Sequence, residues 1–136
     1  APDGAERMPV VVHRSSIGAI ERVIAFLIEH YAGAFPLWLA PVQIAILTVN
    51  DRVGAYAEEI KRALEKSDLR VAIDMRNESI GKKIREGEMQ KIPYLLIIGD
   101  REAVAGTIAV RERGAGDKGA MTLEQFFGIM EKERSL

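Results

Sequence analysis

Apolar positions along this chain fall into two alternating patterns. Residues 44–49, IAILTV, form a continuous run of the kind that suits a strand buried on both faces. Asn50 or Asp51 can then cap a helix, and Val53, Tyr56, Ala57, Ile60, Ala63 and Leu64 recur at helical spacing to give it one apolar face. Ser67 and Asp68 turn the chain into residues 69–75, where Leu69, Val71, Ile73 and Met75 alternate with Arg70, Ala72 and Asp74 and predict a second strand. A weaker helix is predicted from Ser79 to residue 90, a buried strand over 94–98 and an alternating strand over 107–113. Thr122 and Gln125 have capping-box spacing ahead of a last helix with Leu123, Phe126, Phe127 and Met130 on its apolar side.

Strand, helix, strand, helix, strand implies parallel strands joined by helical crossovers, and a turn at Gly99 and Asp100 with the strand after it adds an antiparallel edge. The expected fold is α/β, a mixed, mostly parallel open sheet of about five strands flanked by helices.

The first forty residues read differently. PVVVH, residues 9–13, predicts a short buried strand. The helix after it carries Ile17, Ile20, Val23, Ile24, Leu27, Ile28 and Tyr31 in one stripe, with Ser15 or Ser16 to cap its start and Gly33 to end it. Such a stripe must bury against something. Residues 34–43, AFPLWLAPVQ, hold the only tryptophan and two prolines, which break helix and sheet alike. Their apolar content predicts a connector packed down between rigidly joined parts, dividing the chain into units 1–38 and 39–136.

Charge and composition narrow the function. Nineteen basic against twenty acidic side chains give a net charge of −1, which excludes a protein held to nucleic acid by bulk attraction; any such contact must be a local patch. The absence of cysteine excludes thiol catalysis, disulfides, thiolate zinc sites and iron–sulfur clusters. The longest apolar stretch, 34–49, is interrupted by Pro36, Pro41 and Gln43 and cannot span a membrane, and no signal core opens the chain. A soluble, cytoplasmic protein is expected.

In open α/β sheets ligands gather beyond the carboxyl ends of the parallel strands. Those ends hold Asn50 and Asp51, then Arg76, Asn77 and Glu78, then Gly99, Asp100, Arg101 and Glu102, while Arg111 and Arg113 share one face of the edge strand and could join them. TVNDRVGAY after the first strand has one glycine and no Lys-Ser or Lys-Thr pair, so neither a dinucleotide fingerprint nor a phosphate loop is present. An amide, a carboxylate and guanidinium groups instead suit the edges of nucleobases, although ordinary solvated loop charges would read the same way. His13 fails as a complete zinc site, since zinc takes about three protein ligands and His30 is the only other histidine.

Several segments taken together are specific. HRSSIGAIER, HYAGAFPLWLAPVQ, DMRNESIGKKIRE, IPYLLIIGDRE and IAVRER, in this order and spacing, resemble the end of the threonyl-tRNA synthetases, a family of class II aminoacyl-tRNA synthetases, from about Pro9 onward. The resemblance implies that GAIER is the third class-defining motif, with Arg22 contacting ATP phosphates, and that His13 is the last of the family's zinc ligands. Residues 1–38 would then be the strand-and-helix end of a catalytic domain, and 39–136 an anticodon-binding domain. By the same resemblance Asn77, Glu102 and Arg111 read the threonine anticodon, with Arg76, Lys82, Lys83 and Arg113 left to meet phosphates. It further implies tRNA(Thr) as partner, a homodimer formed through the catalytic domain, and ATP, Mg and Zn in the intact enzyme with none of them in this chain alone. Ala19 departs from the serine that many relatives carry after the motif glycine. The alternatives are a free-standing interaction module of the same fold, or a small-ligand-binding α/β protein.

Overall fold

The structure, a computed structural model, describes residues 4–6, 8–14 and 18–134. Its frame is a five-stranded sheet of β1 (Ile44–Thr48), β2 (Val71–Asp74), β3 (Tyr94–Ile98), β4 (Ile108–Glu112) and β5 (Gly116–Met121) in the order β2-β1-β3-β4-β5. β1 pairs in parallel with β2 and β3, while β4 and β5 complete the sheet with antiparallel ladders. Among the described residues five α-helices accompany it, α1 (Ile20–Tyr31), α2 (Gly54–Lys66), α3 (Ile80–Met89), α4 (Asp100–Ala105) and α5 (Leu123–Arg134), with a 3-10 turn at Asp51–Val53.

Side chains alternate along a strand, so the register sorts the sheet into two faces. Ile44, Ile46, Leu96, Ile98, Ile108 and Val110 lie on one, each at most 1% exposed. Ala57, Ile60 and Leu64 of α2 and Phe126 and Met130 of α5 close over them to make the main core. The other face holds a smaller cluster, Ala45, Leu47 and Leu95 with Ile92, against Ile80 and Ile84 of α3. Gly87 permits this close approach, because a Cβ there would stand 2.7 Å from Leu95 Cδ2. The cluster stops at β3: Ala109 and Arg111 of β4 stay partly exposed and Ala120 of β5 is exposed.

The central pattern translates closely. The predicted capping box forms, with Thr122 N–H donating to Gln125 Oε1 at 2.9 Å and Gln125 N–H to Thr122 Oγ1 at 3.3 Å. β2 starts two residues later than expected, where Arg70 N–H donates to the Gln43 side chain instead of a ladder. Gly99 and Asp100 open the short helix α4 rather than a bare turn, since Glu102 Oε2 accepts from Gly99 N–H and caps it. β5 carries no alternating signal; GDKGAM pairs through its backbone, with Gly116 and Gly119 at φ of 78° and 80° and an irregular register opposite Val110 and Arg111.

The upstream expectations fare differently. Residues 9–13 join no sheet, and Val10, Val11 and Val12 are 93%, 82% and 83% exposed, because an apolar run becomes a strand only beside a partner. Ser15, Ser16 and Ile17 lie outside the described residues. α1 ends as Gly33 suggested, through Ala32 and Gly33 at φ of 49° and 76°. No residue of α1 is fully buried: Leu27 and Tyr31 are half-buried, with the Tyr31 ring 6.0 Å from that of Phe35, while Ile20, Val23, Ile24 and Ile28 stay exposed.

The connector is packed down, with Leu37 and Ala40 buried, while Trp38 stays 67% exposed. Its carbonyls, and that of Ala32 just before it, are taken by cations from the sheet domain. Arg70 Nε donates to Ala40 O and its Nη2 to Trp38 O, both at 2.9 Å; Arg113 Nη2 donates to Phe35 O at 2.7 Å, and Lys91 Nζ donates to Ala32 O. Arg70→Ala should therefore lower stability by about 1–2 kcal/mol in urea denaturation and speed proteolysis within 34–43. Unchanged values for both would show that the arginine does not hold the connector.

Candidate nucleic-acid interface

The carboxyl ends of β1, β2 and β3 are organised by backbone capture. Lys83, on the inner side of α3 and 2% exposed, donates from Nζ to Thr48 O at 2.8 Å and Asp74 O at 3.2 Å. It thereby ties α3 to the last residues of both strands. Asn50 caps the turn after β1 by accepting from Arg52 N–H at 3.0 Å. Its Nδ2 reaches Asp100 Oδ2 at 3.0 Å, which Arg52 Nη2 also meets at 3.2 Å, so the loops after β1 and β3 are bridged.

Two of the three candidate base readers stand on this rim. Asn77 follows β2 in an exposed loop, and its amide has no hydrogen bond among the described residues. Glu102 lies in the first turn of α4, half-buried, with one carboxylate oxygen on Gly99 N–H. A Cβ at position 99 would come within 3.0 Å of that oxygen and 3.3 Å of Val49 Cγ2, so a glycine there lets the carboxylate fold back.

Arg111 stands elsewhere. It pairs with Leu95, three residues before the end of β3, which puts its backbone about 10 Å down the sheet from the rim at roughly 3.3 Å per residue. It occupies the face that α3 leaves partly open, where Glu88 Oε1 accepts from its Nε at 2.9 Å. Single-stranded RNA bound with its bases splayed apart can cover such a distance.

The phosphate-binding set needs correction. Lys83 is buried and engaged with carbonyl oxygens, so it has nothing to offer a phosphate. Arg113 donates to Lys91 O and Phe35 O at 2.5 and 2.7 Å and belongs to the connector. Sequence reasoning missed Lys83 because alternating lysines on a helix look solvated until the helix is rotated against its sheet, and Arg113 because its partners, Lys91 O and Phe35 O, are distant in the chain. Arg76 and Lys82 are exposed but paired: Arg76 Nη2 with Asp74 at 2.7 Å and Glu86 at 2.5 Å, and Lys82 Nζ with Glu78 at 2.7 Å. Arg101 is exposed and unpaired among the described residues.

These contacts shift the groups involved. Hydrogen bonds to Asp74 and then Glu86 push the Arg76 guanidinium up, and the hydrogen bond from the Arg76 side chain holds Asp74 below the usual carboxylate range against the opposing effect of burial. Lys82 lowers Glu78 through their shared hydrogen bond and is itself raised by it. A carboxyl with a depressed folded-state pKa stabilises the fold fully above its unfolded value, about pH 4, and loses that contribution as pH falls through the folded value. The destabilisation caused by Arg76→Gln should accordingly shrink between about pH 7 and about pH 2 in urea titrations. A pH-independent difference would contradict the Arg76–Asp74 contact.

His13 is exposed, and among the described residues no group of three His, Cys, Asp or Glu could hold a metal. Arg22 lies in the exposed first turn of α1. Among the described residues no helix is long and apolar enough to cross a membrane.

The fold has a counterpart among known domains. The chain belongs to the anticodon-binding domain family, whose description, Anticodon binding domain, it matches over residues 43–133. It is 52% identical to the threonine–tRNA ligase of Phocaeicola vulgatus over 133 residues, 98% of this chain and 21% of that protein. Against the threonine–tRNA ligase of Acidobacterium capsulatum it is 52% identical over 126 residues, 93% of this chain and 18% of the other. The chain thus spans about a fifth of the length of the curated relatives it matches. The crystal structure of the RNA-binding domain of threonyl-tRNA synthetase from Cryptosporidium parvum Iowa II superposes with a TM-score of 0.75 at 31% identity, over 88% of this chain and 29% of that one. Prolyl-tRNA synthetase from the same parasite shares the fold, with a TM-score of 0.65 at 22% identity over 74% of this chain and 24% of the other.

Proposed function

We propose that this chain is the anticodon-recognising part of a threonine–tRNA ligase and that its RNA partner is tRNA(Thr). The observation that carries this reading is the 52% identity to threonine–tRNA ligases across 98% of the chain. Unpaired anticodon bases would splay over the rim and down the open face of β4. There the Asn77 amide donates and accepts, Glu102 accepts from amino or imino groups, and Arg111 forks onto paired acceptors. Each good bidentate contact supplies about 1–3 kcal/mol of discrimination. With Arg76 and Lys82 already paired to carboxylates, Arg101, unpaired among the described residues, is left on the rim to meet a phosphate, which positions the RNA while selectivity rests on base edges.

The resemblance assigns an ATP contact to Arg22 and a zinc ligand to His13, and gives the intact ligase ATP, Mg²⁺ and Zn²⁺. The residues described do not fit these groups by themselves: a catalytic zinc takes three protein ligands where His13 is one, and a single guanidinium gives a triphosphate no cradle. Selecting the tRNA is therefore the work of this part, and activating threonine belongs to the longer protein, a homodimer by the same resemblance and, as expected from the sequence, a cytoplasmic one. Titrating the chain with a threonine anticodon stem-loop, and with the same stem carrying a permuted anticodon, tests this. A preference of about tenfold or more supports the reading; equal affinities would refute it.

A further inference from the structure

A groove of about 370 Å³ opens beside Arg111, lined among others by Glu88, Ile92, Leu95, Arg113 and Gly114. Ile92 and Leu95 are buried apolar residues that give it a floor, and Gly114 places no side chain at its edge. Two arginines border it, and they differ in what they are free to do. Arg113 spends its terminal nitrogens on Lys91 O and Phe35 O. Arg111 is held at Nε alone, by Glu88 Oε1 at 2.9 Å, leaving the four N–H donors on its terminal nitrogens without a partner among the described residues.

We propose that Glu88 is a positioning residue: by gripping Nε it turns the terminal nitrogens of Arg111 toward the groove, where they meet the edge of an unpaired nucleobase seated on Ile92 and Leu95. This rests on Arg111 acting as a base reader. A free arginine side chain samples many rotamers, and fixing it in advance removes an ordering cost from binding and a route by which a wrong base could be accommodated. The fold sets Glu88 in place through its neighbour. Gly87 lets α3 sit directly on Leu95, Leu95 is the strand partner of Arg111, and the next residue of α3 is Glu88. Glu88 has no other ion pair among the described residues, so its carboxylate is committed to this one contact.

Affinities of the whole chain for the threonine anticodon stem-loop and for its permuted-anticodon counterpart, measured for the parent, Glu88→Ala, Glu88→Gln, Arg111→Ala and the Glu88→Ala/Arg111→Ala pair, test the proposal. Glu88→Ala should lower the ratio of the two affinities by about fivefold or more, approaching the loss from Arg111→Ala. Glu88→Gln, whose amide oxygen still accepts from Nε, should keep most of the ratio. The double variant should match Arg111→Ala alone. A ratio that falls in Arg111→Ala but holds in Glu88→Ala would overturn the positioning role while leaving Arg111 as reader. Equal tightening for both stem-loops in Glu88→Ala would reduce Glu88 to a repelling charge. A ratio unmoved by Arg111→Ala would remove the base reader itself, and the proposal with it.

Discussion

Replacing Arg111 by alanine lowers affinity for a threonine anticodon stem-loop by about 1–3 kcal/mol, roughly five- to 150-fold, if its guanidinium makes a bidentate base contact. Folding should hardly change. The side chain is 36% exposed and its pairing with Glu88 is a surface ion pair, worth about 0–1 kcal/mol of stability. The loss must also be selective: an unrelated stem-loop, bound through its phosphates, should lose far less. Equal losses on both would mean that Arg111 supplies only charge.

The second large effect has the opposite character. Lys83→Met keeps the length of the side chain and its apolar stem but removes the ammonium donor from Thr48 O and from Asp74 O, the latter keeping Thr48 Oγ1 at 3.2 Å, and it takes one of two cations from Asp74. Losing the ammonium at the buried Thr48 O costs about 1–3 kcal/mol and its share at Asp74 adds to this, so the variant should be about 3 kcal/mol less stable, with a melting temperature lower by about 10–20 °C. Asp74 keeps Arg76, which holds the loss at the lower end of what breaking a buried pair costs. Thermal unfolding checks this. A melting temperature within a few degrees of the parent would show that the strand ends do not depend on Lys83. Lys83 thus maintains the rim and Arg111 reads from the face, although the sequence offers both simply as cations.

That contrast marks how far the sequence could be read. The local patterns were sufficient for β1, β3, β4, α2 and α5, where burial on one or two faces leaves a period in the chain. β5 was not legible, because a glycine-rich edge strand forms by pairing its backbone and needs no apolar alternation. Segment 9–13 has the apolar content of a strand, but among the described residues no strand pairs with it. Asn77 and Glu102 could be placed at strand ends from element order alone. The distance of Arg111 from them, and its contact with Glu88, depend on the antiparallel register of β4 and on how α3 lies against β3. Both are non-local, and so is the difference between Lys82, which faces solvent, and Lys83, which faces the sheet.

The most direct measurement is the map of amide chemical-shift changes when the chain is titrated with the threonine anticodon stem-loop. The account predicts that the changes gather on the loop holding Asn77, on the first turn of α4 around Glu102, and on Ala109, Arg111 and Glu88, leaving the outer surfaces of α2 and α5 unmoved. Changes centred on α2 and α5, or the same map from a stem-loop with a permuted anticodon, would contradict it.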